Sequence, residues 1–143
     1  MRRVGNQDGQ ALIEAALTIP LLLLIAVGIF EFGRAYQTWE ILTNAAREGA
    51  RMAILPSPDP TAVAQRVRDY MQAGQLPKYG TCEVLVNNTT ITVSGNPVPA
   101  SQVQINYPFD FIVLKPIALL IPGSHNTPGD SLMMQASVVM RNE

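Results

Sequence analysis

Residues 11–30 read ALIEAALTIPLLLLIAVGIF, twenty consecutive positions with one charged side chain, Glu14. A helix crossing the roughly 30 Å hydrocarbon core of a bilayer needs about 20 apolar residues, so this stretch can span. Arg2 and Arg3 precede it with only Asp8 opposing, and mixed charges follow at Glu31, Arg34 and Glu40. The positive-inside rule predicts a cytoplasmic N-terminus and an outer domain beyond Phe32. A secretory signal peptide shares the basic start and apolar core. Its h-region is shorter, however, and Phe30, Glu31 and Phe32 stand where a small-residue cleavage site belongs, with Ala26-Val27-Gly28 a weak substitute. The expected organisation is a cytoplasmic leader over 1–9, a transmembrane helix over 10–31, its extramembrane continuation over 32–55, and an outer α+β domain over 56–143.

Helical periodicity continues past the apolar run. Ile29, Phe32, Tyr36, Trp39, Leu42, Ala46, Gly49 and Ala53 recur at spacings of three and four, which predicts one apolar side. Glu31/Arg34 and Glu48/Arg51 are i,i+3 pairs able to support an exposed face. Pro56 and Pro58 end the helix, giving a rod of about 66 Å over residues 11–55 at the usual rise. Pro20 removes one ladder hydrogen bond, and either kinks the helix or is simply tolerated.

Glu14 is expensive within a membrane segment, by roughly 2.5–3.5 kcal/mol on insertion scales. Lying only four residues inside the span, it could snorkel to the headgroups. Its spacing from Gly9 supports a second reading. A short basic leader ending in Gly, with Glu at the fifth position after it and a long apolar helix, resembles a class III signal peptide. The resemblance implies cleavage between Gly9 and Gln10 by a prepilin peptidase on the cytoplasmic face. It also implies pairing of Glu14 with the new α-amine of a neighbouring subunit. A glycine before the scissile bond lets the backbone approach a catalytic site closely. Ala15 departs from the aromatic residue common in such leaders.

Across residues 9–53 the chain resembles the TadE-like family. The motifs are Glu14-Ala15-Ala16-Leu17, Pro20-Leu21-Leu22-Leu23, residues 28–34, and Leu42-Thr43-Asn44-Ala45-Ala46-Arg47-Glu48-Gly49-Ala50-Arg51, with a strand-like ending that contains Met140-Arg141. The resemblance implies a pilin-like component of a Tad (tight-adherence, type IV-like) pilus in the bacterial inner membrane. Its expected partners are the prepilin peptidase, other pilin-like subunits, the Tad assembly machinery and membrane lipid. Glu14, Gly33, Ala46, Gly49, Ala50 and Ala53 are the candidate packing residues. The small ones let another backbone approach, either this chain's own sheet or a neighbouring pilin helix.

A pilin-like α+β outer domain is expected, with a second helix and about four antiparallel strands. Asp59 can cap the helix with Pro60 at its first position, Val63, Val67, Tyr70 and Met71 form its apolar stripe, and Gly74 can end it. Residues 82–86 and 90–93 flank Asn87-Asn88, a hairpin signal. Gly95-Asn96-Pro97 turns the chain into a strand over 103–107, and Leu132, Met134, Ala136, Val138 and Met140 alternate along the last strand. Residues 109–122, FDFIVLKPIALLIP, are too few to span. They predict a buried connection or sheet-capping helix, the alternative being a membrane-surface or partner-binding segment.

Composition narrows the function. Ten basic and eleven acidic side chains leave a formal charge of -1, without the clustered basic surface that nucleic acid requires. One cysteine, Cys82, cannot form an internal disulfide, and one histidine, His125, leaves no usual zinc site and no expected cofactor. No hydrolase elbow, zincin or phosphate-loop motif occurs, so no catalytic residues are expected. Cys82 reads as a core residue, His125 as a solvated loop side chain. Asn87 and Asn88 each begin an N-x-[ST] sequon, relevant only in a glycosylating host. A membrane-anchored binding module unrelated to pili would share these features but keep residues 1–9. A conventionally secreted enzyme would need catalytic residues that are not apparent.

Overall fold

A computed structural model describes residues 7–113, 116 and 131–142. Helix α1 covers Gln7–Ala53, 47 residues, a rod of about 70 Å. It runs on through Pro20. Helix α2 covers Pro60–Ala73, and strands β1 (Glu83–Val93), β2 (Asn96–Phe109) and β3 (Leu132–Arg141) follow. The strands form one antiparallel sheet in the order β1-β2-β3. The class is α+β as expected, with three strands among the described residues where about four were expected.

The difference lies at Asn87-Asn88. Both are exposed and pair continuously with Gln102 and Ser101, so β1 passes straight through them. The hairpin turn is two residues, Ser94 and Gly95, at φ 51° and 84°. Positive φ at both central positions gives the primed turn that matches strand twist, and glycine meets that demand at least cost. Asn96 and Pro97 therefore belong to β2 and not to the turn. Pro97 and Pro99 precede the point where β3 begins to pair, Ala100 opposite Arg141, so no third strand is left short of their missing N–H groups.

β2 is the central strand and alternates cleanly. Ser101, Val103, Ile105, Tyr107 and Phe109 are buried toward the helices. On the outer face Gln102 donates to Ser137 at 2.8 Å, Gln104 to Asn106 at 3.2 Å, and Asn106 to Glu83 at 2.8 Å. β2 runs antiparallel to α1, since Ser101 Oγ lies 3.1 Å from the Ala53 carbonyl and the Phe109 ring lies 5.3 Å from the Arg34 guanidinium.

Helix α2 starts as its sequence indicates, with Asp59 accepting from the Thr61 N–H at 2.9 Å. Val63, Val67 and Met71 are buried against α1 and the sheet, whereas Tyr70 is 39% exposed and outside the stripe. Gly74 stands at the C-terminus with φ -75°. The left-handed residue is Gln75 at φ 60°, and the Leu76 and Gln75 N–H groups return to the carbonyls of Met71 and Gln72, closing a Schellman motif. Gly74 has a packing reason instead: a Cβ there would meet Ile41 Cγ2 at 2.7 Å.

A reciprocal contact lies on α1. A Cβ at Gly49 would stand 2.5 Å from Val67 Cγ2 and 3.3 Å from Val103 Cγ1, so α2 and β2 both press on bare backbone. Gly33 has open space around it. Gly49→Ala is expected to destabilise the full chain in detergent micelles by about 1–3 kcal/mol through overpacking. Gly33→Ala should be neutral or slightly stabilising, because alanine is the better helix former. Equal midpoints for the two variants in denaturant titration would contradict this packing.

Candidate functional site

The first half of α1 stands clear of the domain. Its most apolar 18-residue window has mean hydropathy 2.5 and no buried residue. Leu12, Leu17 and Leu23 are 71%, 73% and 61% exposed. Leaving that row of leucines and isoleucines in water would cost on the order of 10–20 kcal/mol, so the helix needs lipid or protein around it. Gly9, Gln10, Ile13, Glu14 and Leu17 line one shallow concavity on it. Glu14 is exposed there, and its backbone carbonyl accepts from Thr18 Oγ1 at 2.8 Å. Gly9 and Gln10 lie near the N-terminal limit of the described part of α1, and glycine makes local opening of a helix cheap.

In the outer half, Ala46 and Ala50 are fully buried and Ala53 is 2% exposed. With Gly49 they form the floor on which α2 and β2 pack. Gly33 is exposed, and among the described residues a Cβ there would meet nothing within 4 Å. The apolar pattern read from sequence divides here. Leu42, Ala46, Gly49 and Ala53 are buried, but Ile29, Phe32, Tyr36 and Trp39 are 70%, 69%, 60% and 46% exposed. The cover differs along α1: α2 lies on Gly49 through Val67 and ends at Gly74 against Ile41, so positions before Ile41 lose it. Next to the apolar run the buried face is Glu31, Ala35, Thr38 and Leu42.

Glu31 corrects the expected exposed pair. It is fully buried, accepts from Arg34 at 2.7 Å, and accepts from the Val113 backbone N–H. Arg34 also lies over the Phe109 ring, within reach of a cation–π interaction. Glu31 thus ties the chain leaving β2 to the first residue of α1 beyond its apolar run. The sequence holds a signal for this, since Glu31 falls in phase with Ala35, Thr38 and Leu42. Asp110, one step back along the chain, pairs with Lys78 at 2.5 Å and accepts from Ser131 at 2.6 Å.

The second expected pair is also rearranged. Glu48 lies 3.9 Å from Arg51 but accepts from Arg66 Nη2 at 2.9 Å and Nε at 3.2 Å. The Arg66 hydrogen bond, with the nearby Arg51 charge, holds the Glu48 carboxyl below its usual range. Cys82 is buried just before β1 and donates to the Tyr79 carbonyl at 2.9 Å. Burial pushes its thiol up, away from the thiolate a nucleophile requires. Among the described residues no three His, Cys, Asp or Glu side chains are gathered to hold a metal. His125 lies outside the described residues. Of residues 109–122, Phe109 completes β2, Ile112 is exposed, and most of the rest lies outside the described residues.

Removing the Glu31 carboxylate leaves Arg34 and the Val113 N–H short of an acceptor. Glu31→Ala is expected to lower stability by about 1.5–3 kcal/mol, the range for hydrogen bonds to charged groups. The Val113 amide should lose its protection from hydrogen exchange while amides in α2 keep theirs. Unchanged protection at Val113 would refute the clamp.

Comparison with known proteins covers the same helix. The family model described as TadE-like protein matches residues 9–51. No curated protein and no solved structure matches the chain. The match lies wholly within Gln7–Ala53, on the helix that carries the motifs of the resemblance.

Proposed function

We propose that this protein is a pilin-like structural or assembly subunit of a Tad-type pilus, working by helix packing and not by catalysis. The observation that carries this reading is the match of residues 9–51 to the TadE-like family, which points to a protein associated with the Tad pilus. It falls on a helix whose apolar half is unburied. In this reading α1 anchors the chain in the inner membrane with its N-terminus cytoplasmic, as the arginine bias favours, and the sheet domain lies outside.

A prepilin peptidase removes residues 1–9, and Glu14 then faces the amine of a neighbouring subunit within the span. Ala46, Gly49, Ala50 and Ala53 are occupied by the chain's own α2 and sheet. Contacts with other pilin-like subunits therefore fall to the span and to the flank of Ile29, Tyr36 and Trp39, which the fold leaves uncovered. A membrane-anchored binding module remains the competing class, and it would retain the leader.

Mass spectrometry of protein taken from assembled complexes is expected to find Gln10 as the first residue. Recovery of an intact segment 1–9 would rule out processing. For orientation, Gln65→Cys in a Cys82→Ala background should react with an impermeant thiol reagent in spheroplasts, because Gln65 is exposed on α2. Protection until lysis would reverse the topology.

A further inference from the structure

Large apolar side chains from three separate stretches are exposed at one end of the outer domain. Phe32 of α1 is 69% exposed, Ile112 beyond β2 is 62%, and Leu132 and Met133 at the start of β3 are 50% and 60%. Hydrogen bonding and register fix their level. The Val113 N–H donates to Glu31, the residue that follows the apolar run, so Ile112 lies beside the end of that run. Leu132 is opposite Phe109, whose ring lies at Arg34, within one helical turn of Glu31. A turn rises about 5.4 Å, and the polar layer of a bilayer adds roughly 5–8 Å to each side of the hydrocarbon. With residues 11–30 in the hydrocarbon, Phe32, Ile112 and Leu132 fall at the level of that layer, and Met133, opposite Pro108, lies one residue further along β3.

We propose that this rim, Phe32, Ile112, Leu132 and Met133, is seated in the headgroup layer of the bilayer that α1 crosses. The outer domain would then have an interfacial lipid contact in addition to its span. The inference rests on the reading of α1 as a membrane span. Lipid is the occupant because the rim is continuous with the uncovered apolar surface of α1. The neighbouring ion pairs suit that depth. Arg34–Glu31 and Lys78–Asp110 sit beside the apolar tips, a charged and apolar mixture fitted to the headgroup–acyl boundary.

The test uses the full chain in a Cys82→Ala background, with Ile112→Cys, Met133→Cys, Leu22→Cys or Gln65→Cys carrying an environment-sensitive fluorophore. Each variant is reconstituted into phosphatidylethanolamine/phosphatidylglycerol vesicles with and without brominated acyl chains. Labels at 112 and 133 are expected to be blue-shifted and quenched by the brominated lipid, as the label at 22 is, while that at 65 is unaffected. Quenching at 22 alone overturns the rim contact and leaves the span standing. No quenching at 22 overturns both. A blue shift at 112 and 133 without quenching means that protein covers the rim, and also overturns the proposal. Adding Ile112→Asp and Met133→Asp together, at two exposed positions, should relieve quenching of a label at Leu132→Cys. Undiminished quenching there counts against it.

Discussion

The α+β domain is organised by a stretch of helix with almost no side chains on one face. At Gly49 the Val67 methyl approaches to where a Cβ would be only 2.5 Å away. At the other end of α2, Gly74 gives Ile41 of α1 the same allowance. The two glycines, one on each helix and near opposite ends of the contact, let α1 and α2 lie close along their shared length. Ala45, Ala46, Ala50 and Ala53 keep the remaining floor low enough for β2 to settle on it. Close packing of this kind leaves little tolerance for added volume. Glycine within a helix also costs about 0.5–1 kcal/mol relative to alanine, a cost the packing at Gly49 offsets.

The two halves of the same helix present different surfaces. Its N-terminal half presents leucines and isoleucines all round, which suits hydrocarbon. Its C-terminal half buries one narrow face and leaves the others to water or neighbours. The change occurs at Glu31, a charge taken fully out of solvent. Such a group is tolerable only when paired and hydrogen-bonded, and here both carboxylate oxygens have partners, Arg34 on one and the Val113 N–H on the other. This joins the segment after β2 to the point on α1 where the apolar run ends. Removing one partner would cost more than the pair contributes net, so Glu31 specifies where that segment lies more than it adds stability.

Much of this was legible because local rules set it. The apolar run, the proline stop, the Asp59-Pro60 start of α2 and the alternation of β3 each depend on residues close in sequence, and each lies where its pattern indicates. The TadE-like motifs lie on α1 for the same reason, being a continuous helical signature. The pattern of small residues at Ala46, Gly49, Ala50 and Ala53 marked a packing face, but could not name its partner.

What the sequence by itself determined is the inventory of elements and the presence of a long, partly apolar helix, since hydrophobic period and turn chemistry act over a few residues. The tertiary structure decided which side of each element is covered. Asn87-Asn88 became strand because β2 offered a continuous ladder of partners and Ser94-Gly95 took the turn. Phe32, Tyr36 and Trp39 were left uncovered because α2 ends at Gly74, against Ile41, and does not reach that part of α1. Glu31 was buried because Val113, distant in sequence, supplies the donor that makes its burial possible. These outcomes depend on contacts between residues far apart in the chain, and a local pattern carries no record of which distant group will arrive.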